Sequence, residues 1–118
     1  MPELPEVETY VRELEPELRG RCITGARVTW PRTIATPSAP EFEQQIVGAQ
    51  FERFGRRGKY MLLGLHDSRT FVVHLRMSGQ LLRATPKEPM APHTHVVIAF
   101  TQGGQLRFVD PRTFGELF

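Results

Sequence analysis

The amino terminus carries two residues that could take part in catalysis, Pro2 and Glu3, directly after Met1. Removal of Met1 would leave Pro2 as a secondary amine held in a ring. Such an amine forms a cationic iminium when it attacks an aldehyde carbon, and this is the chemistry of covalent Schiff-base enzymes. The carboxyl group of Glu3 is a candidate to move the protons. Proline at position 2 is also common where it signals only removal of the methionine, so the pair alone leaves both interpretations open.

Residues 53–60 form a basic string, RFGRRGKY, in which glycines bracket arginines and Lys59. Glycine lets a backbone approach a phosphate closely, and the cations would neutralise its charge. We predict that the segment 55–58 is a turn between two strands. On composition alone, a solvated hairpin loop and a phosphate-binding turn are equally good interpretations.

Residues 74–79, HLRMSG, end one predicted strand and begin a turn. A methionine at an exposed turn is unusual, because methionine more often fills a core. Met77 is therefore a candidate apolar wedge that enters a base stack. The alternative is that Met77 packs inward.

Residues 110–115, DPRTFG, begin with a turn-forming Asp-Pro pair. Arg112 and Phe114 are two residues apart and point to one side if the segment is extended. An arginine can read the edge of a base that has lost its partner, and a phenylalanine can wedge a base step. A position in the core is the other interpretation of Phe114.

Composition sets limits on the class of protein. The chain has 118 residues, of which 40% are hydrophobic and 24% charged, which fits one soluble domain with one core. It has no apolar run long enough to cross a membrane and no secretory signal, so we expect a cytoplasmic monomer. The single Cys22 cannot form an internal disulfide, and the pair His93 and His95 resembles zinc-ligand spacing only superficially.

The patterning predicts a mainly β fold with flanking helices, a two-sheet β-sandwich or pseudo-barrel with an N-terminal helix and a second short helix. An apolar stripe marks the first helix, and Pro16 should end or kink it near residues 13–15. A strand at 22–30 should be broken by Gly25, and Ser38 should cap a helix whose apolar side includes Val47. Six strand-length runs then suggest a meander, and they cover 49–54, 60–65, 70–75, 80–84, 94–100 and 105–109.

The opening string MPELPEVET resembles the start of the formamidopyrimidine-DNA glycosylase family, which removes oxidised purines during base-excision DNA repair. The strings RGKY, HLRMSG and DPRTFG resemble three loops of that family in the same order, so the resemblance covers the whole chain. It implies a bifunctional DNA glycosylase and AP lyase, and it implies that Pro2 is the nucleophile. Glu3 would then handle protons, and Lys59 would lie by the lesion and the adjoining phosphate.

The resemblance also implies DNA-binding roles. Met77 would fill the gap left by an extruded base, Arg112 would pair with the orphaned base, and Phe114 would wedge the step. His74 would shape the site or approach a phosphate, although a structural histidine is an equally good interpretation. His93, in a string that reads PHTHV, would lie near a DNA phosphate.

We therefore expect residues 1–118 to be the N-terminal catalytic domain of such an enzyme, acting on damaged double-stranded DNA. The methionine–arginine–phenylalanine trio favours 8-oxoguanine opposite cytosine and formamidopyrimidines over the oxidised pyrimidines of the endonuclease VIII branch. The family's helix–two-turns–helix and zinc-finger domains are absent from these residues, so we expect zinc only in that missing part and no cofactor here. We expect the 118 residues to fold alone but to have little glycosylase activity, because many phosphate contacts would be lost.

Two alternatives of other classes stay open at this point. One is an N-terminal-proline enzyme that acts on small carbonyl compounds, such as a tautomerase, which would not need the loops at Met77 and Phe114. The other is a non-catalytic nucleic-acid-binding β domain.

Overall fold

A computed structural model describes residues 4–30, 33–34, 38–75, 79–110 and 116–117 of the chain. The described elements are two helices and eight strands: α1 (Leu4–Leu18), β1 (Ile23–Val28), α2 (Ala39–Gln45), β2 (Phe51–Arg57), β3 (Tyr60–Leu65), β4 (Thr70–His74), β5 (Gln80–Ala84), β6 (Thr94–Phe100), β7 (Gln105–Val109) and β8 (Glu116–Leu117). None of the helices in these ranges is both long and apolar enough to span a membrane.

The strands form two antiparallel four-stranded sheets, in the orders β1-β6-β7-β5 and β2-β3-β4-β8. The predicted mainly β fold with two sheets and two helices is confirmed. The prediction of a simple meander is wrong beyond β4, because β5 joins the other sheet and pairs with β7 rather than with β4 or β6. The connection over residues 85–93 is long enough for β6 to leave room for β7 between it and β5.

Helix α1 lies on the sandwich mainly against β2. It buries the predicted stripe of Val7, Val11, Leu14 and Leu18. The expectation that the helix ends near residues 13–15 is wrong, since α1 continues through Pro16 to Leu18; the alternative of a kink at Pro16 stays a prediction. Proline removes one helical hydrogen bond at a cost of about 3 kcal/mol. Burial of an entire leucine side chain, worth about 1.5–3 kcal/mol, offsets most of that cost.

The second helix confirms one local prediction and corrects another. The Ser38 hydroxyl accepts a hydrogen bond from the Glu41 N–H at 3.4 Å and caps α2. Phe42 packs edge-on against Phe71 of β4, with ring centroids 5.6 Å apart. Val47 is 47% exposed, because it follows the helix end and leaves the apolar side. The helix thus attaches to the sandwich through Ala39, Phe42 and the capping residue Ile46, all of which are buried.

The predicted break of strand β1 at Gly25 is wrong, since the strand is continuous, but an irregularity in register lies beside this glycine. Ile23 pairs with Phe100 and Gly25 pairs with Ala99, so one extra residue is accommodated between them. Such a bulge bends a strand and increases its twist. The strand then continues to Val28 at the opposite end of the sheet.

Candidate nucleic-acid interface

The basic string 53–60 is a tight hairpin rather than the longer turn predicted. Strand β2 continues through Gly55 to Arg57, which pairs with Tyr60 of β3, so only Gly58 and Lys59 form the turn. Gly58 has φ +60, a backbone conformation that glycine adopts without strain. The strand therefore presents exposed arginines beside the half-buried Lys59 at its tip.

Aromatic contact joins this hairpin to the end of β4. The Tyr60 ring meets the His74 ring edge-on, with centroids 4.7 Å apart. Tyr60 is 40% exposed, whereas His74 is buried at 6%. The burial of His74 supports a role in shaping the site, and it places Lys59, the neighbour of Tyr60, at the same end of the sheet.

The segment that follows β4 is closed by a backbone hydrogen bond. The Gly79 N–H donates to the Leu75 carbonyl oxygen at 2.9 Å, so the two residues that flank 76–78 lie side by side. A Cβ on Gly79 would lie 2.6 Å from that oxygen, so only glycine permits this approach. The closure joins the end of β4 in one sheet to the start of β5 in the other. Met77 lies outside the described residues.

The strand that begins after this closure lies next to the start of the string 110–115. Gln80 pairs with Val109 at the end of β7. The next residue, Asp110, donates its N–H to the His93 carbonyl oxygen at 3.1 Å. His93 is exposed and has φ +65, which is uncommon for a residue with a side chain. Its side chain therefore lies on the surface beside the start of the segment 111–115, so exposure leaves it available for the predicted phosphate contact.

His95 is a residue of this end that sequence reasoning did not single out. It is buried, and its Nε2 lies 2.8 Å from the Asp110 carbonyl oxygen. A carbonyl oxygen only accepts, so Nε2 carries the hydrogen. Asp110 is fully buried and is thus held through both backbone groups, N–H and C=O. The sequence signal was the PHTHV string, in which we had given a DNA-binding role to His93 alone.

Helix α1 points its amino-terminal end toward the same region. The Tyr10 hydroxyl accepts the Leu81 N–H at 3.1 Å near the start of β5, while Glu17 lies 3.6 Å from Arg83 near the end of that strand. The helix therefore runs in the same direction as β5, and Leu4 begins it beyond Tyr10. Burial raises the pKa of Tyr10, and its hydrogen bond from Leu81 opposes this only in part.

Hydrogen bonds, strand pairs and one ring contact thus bring the predicted segments to one end of the sandwich. Lys59, His74 and His93 lie there among the described residues. The other predicted residues lie outside the described ranges, and they are Pro2, Glu3, Met77, Arg112 and Phe114. Leu4, Leu75, Gly79, Asp110 and Glu116 flank them in the chain. Glu116 pairs with His74, so the far side of the segment 111–115 returns to the same end.

Metal binding has no candidate in this part of the molecule. Within residues 4–30, 33–34, 38–75, 79–110 and 116–117, no three histidine, cysteine, aspartate or glutamate side chains are grouped so that they could hold an ion. The two histidines of the PHTHV string lie with ring centroids 6.4 Å apart, and His95 uses its Nε2 on a carbonyl. The chemistry available at this end is therefore that of cations, aromatic rings and backbone donors.

Comparison with known proteins adds a family and a fold. A family model described as the formamidopyrimidine-DNA glycosylase N-terminal domain matches residues 1–117. A curated relative named formamidopyrimidine-DNA glycosylase, from Desulforamulus reducens, is 50% identical over 118 residues. That alignment covers 99% of this chain and 43% of the relative. The chain thus spans less than half the length of this relative.

Solved structures agree with the fold. The Lactococcus lactis Fpg in complex with abasic-site DNA superimposes with a TM-score of 0.93 at 36% identity, covering 98% of this chain and 43% of that one. The Lactococcus lactis Fpg in complex with FAPY-dG DNA gives a TM-score of 0.92 at 36% identity, again with 98% and 43% coverage. Both structures contain damaged DNA, which those proteins bind.

Proposed function

Because the chain belongs to the formamidopyrimidine-DNA glycosylase N-terminal domain family, we propose that it carries the catalytic amine and the lesion-reading loops of a base-excision DNA glycosylase with AP lyase activity. The observation that carries this proposal is the joining of the predicted segments at one end of the sandwich, from the Tyr60–His74 contact to the Asp110–His93 hydrogen bond.

The proposed reaction begins with Pro2, once Met1 has been removed. Its ring nitrogen attacks C1′ of the damaged nucleotide as the glycosidic C1′–N bond breaks and the base leaves. Loss of the amine proton and opening of the sugar give the cationic iminium, and Glu3 moves the protons. Removal of a proton from C2′ then allows β-elimination, which breaks the C3′–O bond and cuts the strand.

The target nucleotide must leave the duplex before this attack, at a cost of a few kcal/mol in stacking and pairing. Met77 would fill the gap, Arg112 would pair with the orphaned base and Phe114 would wedge the step. The closure between Leu75 and Gly79 supports the first role, because it fixes the positions of the two residues that flank 76–78. The hydrogen bonds to the Asp110 backbone support the roles of Arg112 and Phe114, because they fix the residue that precedes the segment 111–115.

The remaining contacts to the DNA strand would come from Lys59, His74 and His93. Lys59 lies at the tip of a hairpin whose exposed arginines add positive potential, which favours a nearby phosphate. His93 presents an exposed ring beside Asp110, and His74 is packed beneath Tyr60. We propose lesions of the oxidised-purine class, 8-oxoguanine opposite cytosine and formamidopyrimidines, in double-stranded DNA bound by a monomer.

Borohydride trapping on abasic-site DNA tests the nucleophile directly. Reduction of the iminium would fix the 118-residue chain, at high concentration, covalently to a labelled duplex. We expect an adduct for the chain with a free Pro2 and much less adduct for Pro2→Gly, whose terminal amine is primary and not held in a ring. A tag that precedes Pro2 should also abolish the adduct, because it converts the amine into an amide.

The controls separate the alternatives. Glu3→Gln should still bind the duplex but form adduct more slowly, since it alters proton transfer and not the nucleophile. DNA binding without an adduct, both in this chain and in a full-length relative, would contradict the glycosylase proposal and leave a non-catalytic DNA-binding domain. Intact glycosylase activity in Pro2→Gly would also contradict it. We expect weak turnover from the 118 residues alone, because they span less than half of their relatives.

A further inference from the structure

Two aromatic side chains are strongly exposed among the described residues, and both lie at the candidate interface. Tyr60 and Trp30 are each 40% exposed. Tyr60 packs on His74 and belongs to the hairpin already described. Trp30 has no part in the chemistry proposed above, and it presents apolar surface at the end of the sandwich where the predicted segments meet.

Backbone and side-chain hydrogen bonds fix Trp30 at this end of the sandwich. Its neighbour Thr29 donates its N–H to the His95 carbonyl oxygen at 2.8 Å. The Thr29 hydroxyl donates to the Thr94 carbonyl oxygen at 2.7 Å. The Trp30 carbonyl oxygen in turn accepts the Thr33 N–H at 2.9 Å. Trp30 therefore stands in a closed turn beside the start of β6, the strand that follows His93.

The inner part of the Trp30 ring rests on a buried support. Its centroid lies 6.2 Å from that of His95, with a tilt of 37° between the planes. The His95 centroid also lies 6.4 Å from that of His93. Trp30 and His93 thus both neighbour one buried histidine, and that histidine also binds the Asp110 carbonyl oxygen. The exposed indole is held in place rather than left loose.

We propose that Trp30 is a further DNA-contact residue, which lays its exposed face on a deoxyribose of the strand whose phosphate lies at His93. An indole suits this position because it combines a broad apolar face with one N–H donor that can reach a phosphate oxygen. The contact would lie outside the lesion site and would not distinguish one base from another. This inference rests on the DNA binding proposed above.

Intrinsic fluorescence provides the test, because Trp30 is the only tryptophan in the chain. The 118-residue chain is titrated with duplex DNA that contains a tetrahydrofuran abasic analogue. Anisotropy of a dye on the DNA reports binding independently. We expect the tryptophan emission to change in step with the anisotropy and to saturate at the same DNA concentration.

Affinity of variants supplies the second readout. Trp30→Ala should weaken binding about ten-fold, the value expected if roughly 40% of an indole surface is removed from water on binding. Trp30→Phe keeps a ring on His95 and should remain within about three-fold of the parent. Val47→Ala is the matched control. Val47 is 47% exposed, next to Gly48, whose N–H binds Ile23 at the opposite end of β1, and its truncation should leave affinity unchanged.

Several results would overturn the inference. One is DNA binding by anisotropy with constant tryptophan emission. A second is an unchanged affinity in Trp30→Ala, and a third is an absence of both signals at the highest protein concentration. Loss of affinity in Trp30→Ala with constant emission in the parent would mean that the ring acts only through His95, and this also overturns it. The two proposals fail in different ways. If only the glycosylase proposal is wrong, the borohydride adduct is absent but the tryptophan emission still changes on DNA binding.

Discussion

Replacement of Gly79 by alanine tests whether the closure after β4 shapes the candidate interface. The added Cβ would lie 2.6 Å from the Leu75 carbonyl oxygen and 3.2 Å from its Cα. These are backbone atoms at the end of a paired strand, so they cannot turn away as a flexible side chain would. The backbone must therefore shift, and the hydrogen bond from the Gly79 N–H must lengthen or break.

The change in the free energy of unfolding combines two destabilising contributions and one stabilising contribution. Forcing a group into a packed place costs about 1–3 kcal/mol. Loss of the backbone hydrogen bond costs about 0.5–1.5 kcal/mol more. Restriction of the unfolded chain by alanine returns about 0.4–1 kcal/mol. Gly79→Ala should therefore lower the free energy of unfolding by about 0.5–4 kcal/mol, and it should slow adduct formation because the junction between β4 and β5 must shift.

The matched control is Gly55→Ala. Gly55 lies in β2, where a Cβ would meet no atom within 4 Å and φ is not positive. Alanine there should leave stability unchanged or raise it by about 0.4–1 kcal/mol. Urea unfolding of the 118-residue chain, followed by circular dichroism, measures both variants. Equal stabilities within about 0.5 kcal/mol, or equal adduct rates, would refute the reasoning.

Three further predictions concern Tyr10 and Lys59. Tyr10→Phe removes the acceptor for the Leu81 N–H, and urea unfolding should show a loss of about 1–2 kcal/mol; an unchanged midpoint would show that water replaces the hydroxyl. The raised pKa of Tyr10 means that the unfolded state loses its proton first, so its contribution to stability is complete below about pH 10 and is lost as pH rises through the folded-state value. Tyr10→Phe should abolish that alkaline loss, and a pH scan from 8 to 11 checks it. Lys59→Gln should weaken binding to damaged and undamaged duplexes alike and reduce the slope of log affinity against log salt by about one, whereas unchanged salt dependence would place Lys59 away from phosphate.

Sequence patterning predicted the elements where short-range chemistry decides them. Strands 60–65, 80–84, 94–100 and 105–109 were predicted with the bounds that the structure shows. Ser38 was found because a cap is a local hydrogen bond. The end of α1 was misplaced at Pro16, because the burial of Leu18 depends on a sheet that the helix sequence does not encode. The pairing of β5 with β7 was missed for the same reason.

Buried polar residues were the least predictable part of the molecule. Arg107 is 4% exposed in β7, although arginine in a strand is ordinarily expected at the surface. Its guanidinium donates to the carbonyl oxygens of Thr85, Glu88 and Pro89, so it holds the connection between β5 and β6. His95 is buried for a similar reason, because its Nε2 hydrogen-bonds the Asp110 carbonyl oxygen. Such partners are distant in sequence, and no periodicity indicates them.

Stability and site geometry depend on the same contacts at this end of the sandwich. The Leu75–Gly79 closure joins the two sheets, and the His95 ring both supports Trp30 and holds Asp110. A variant that loosens one of these contacts should therefore lower stability and DNA contact together. Trp30 differs from them, because it is 40% exposed and presents that surface to solvent. Its substitution should separate DNA binding from folding, so it is a direct test of the interface itself.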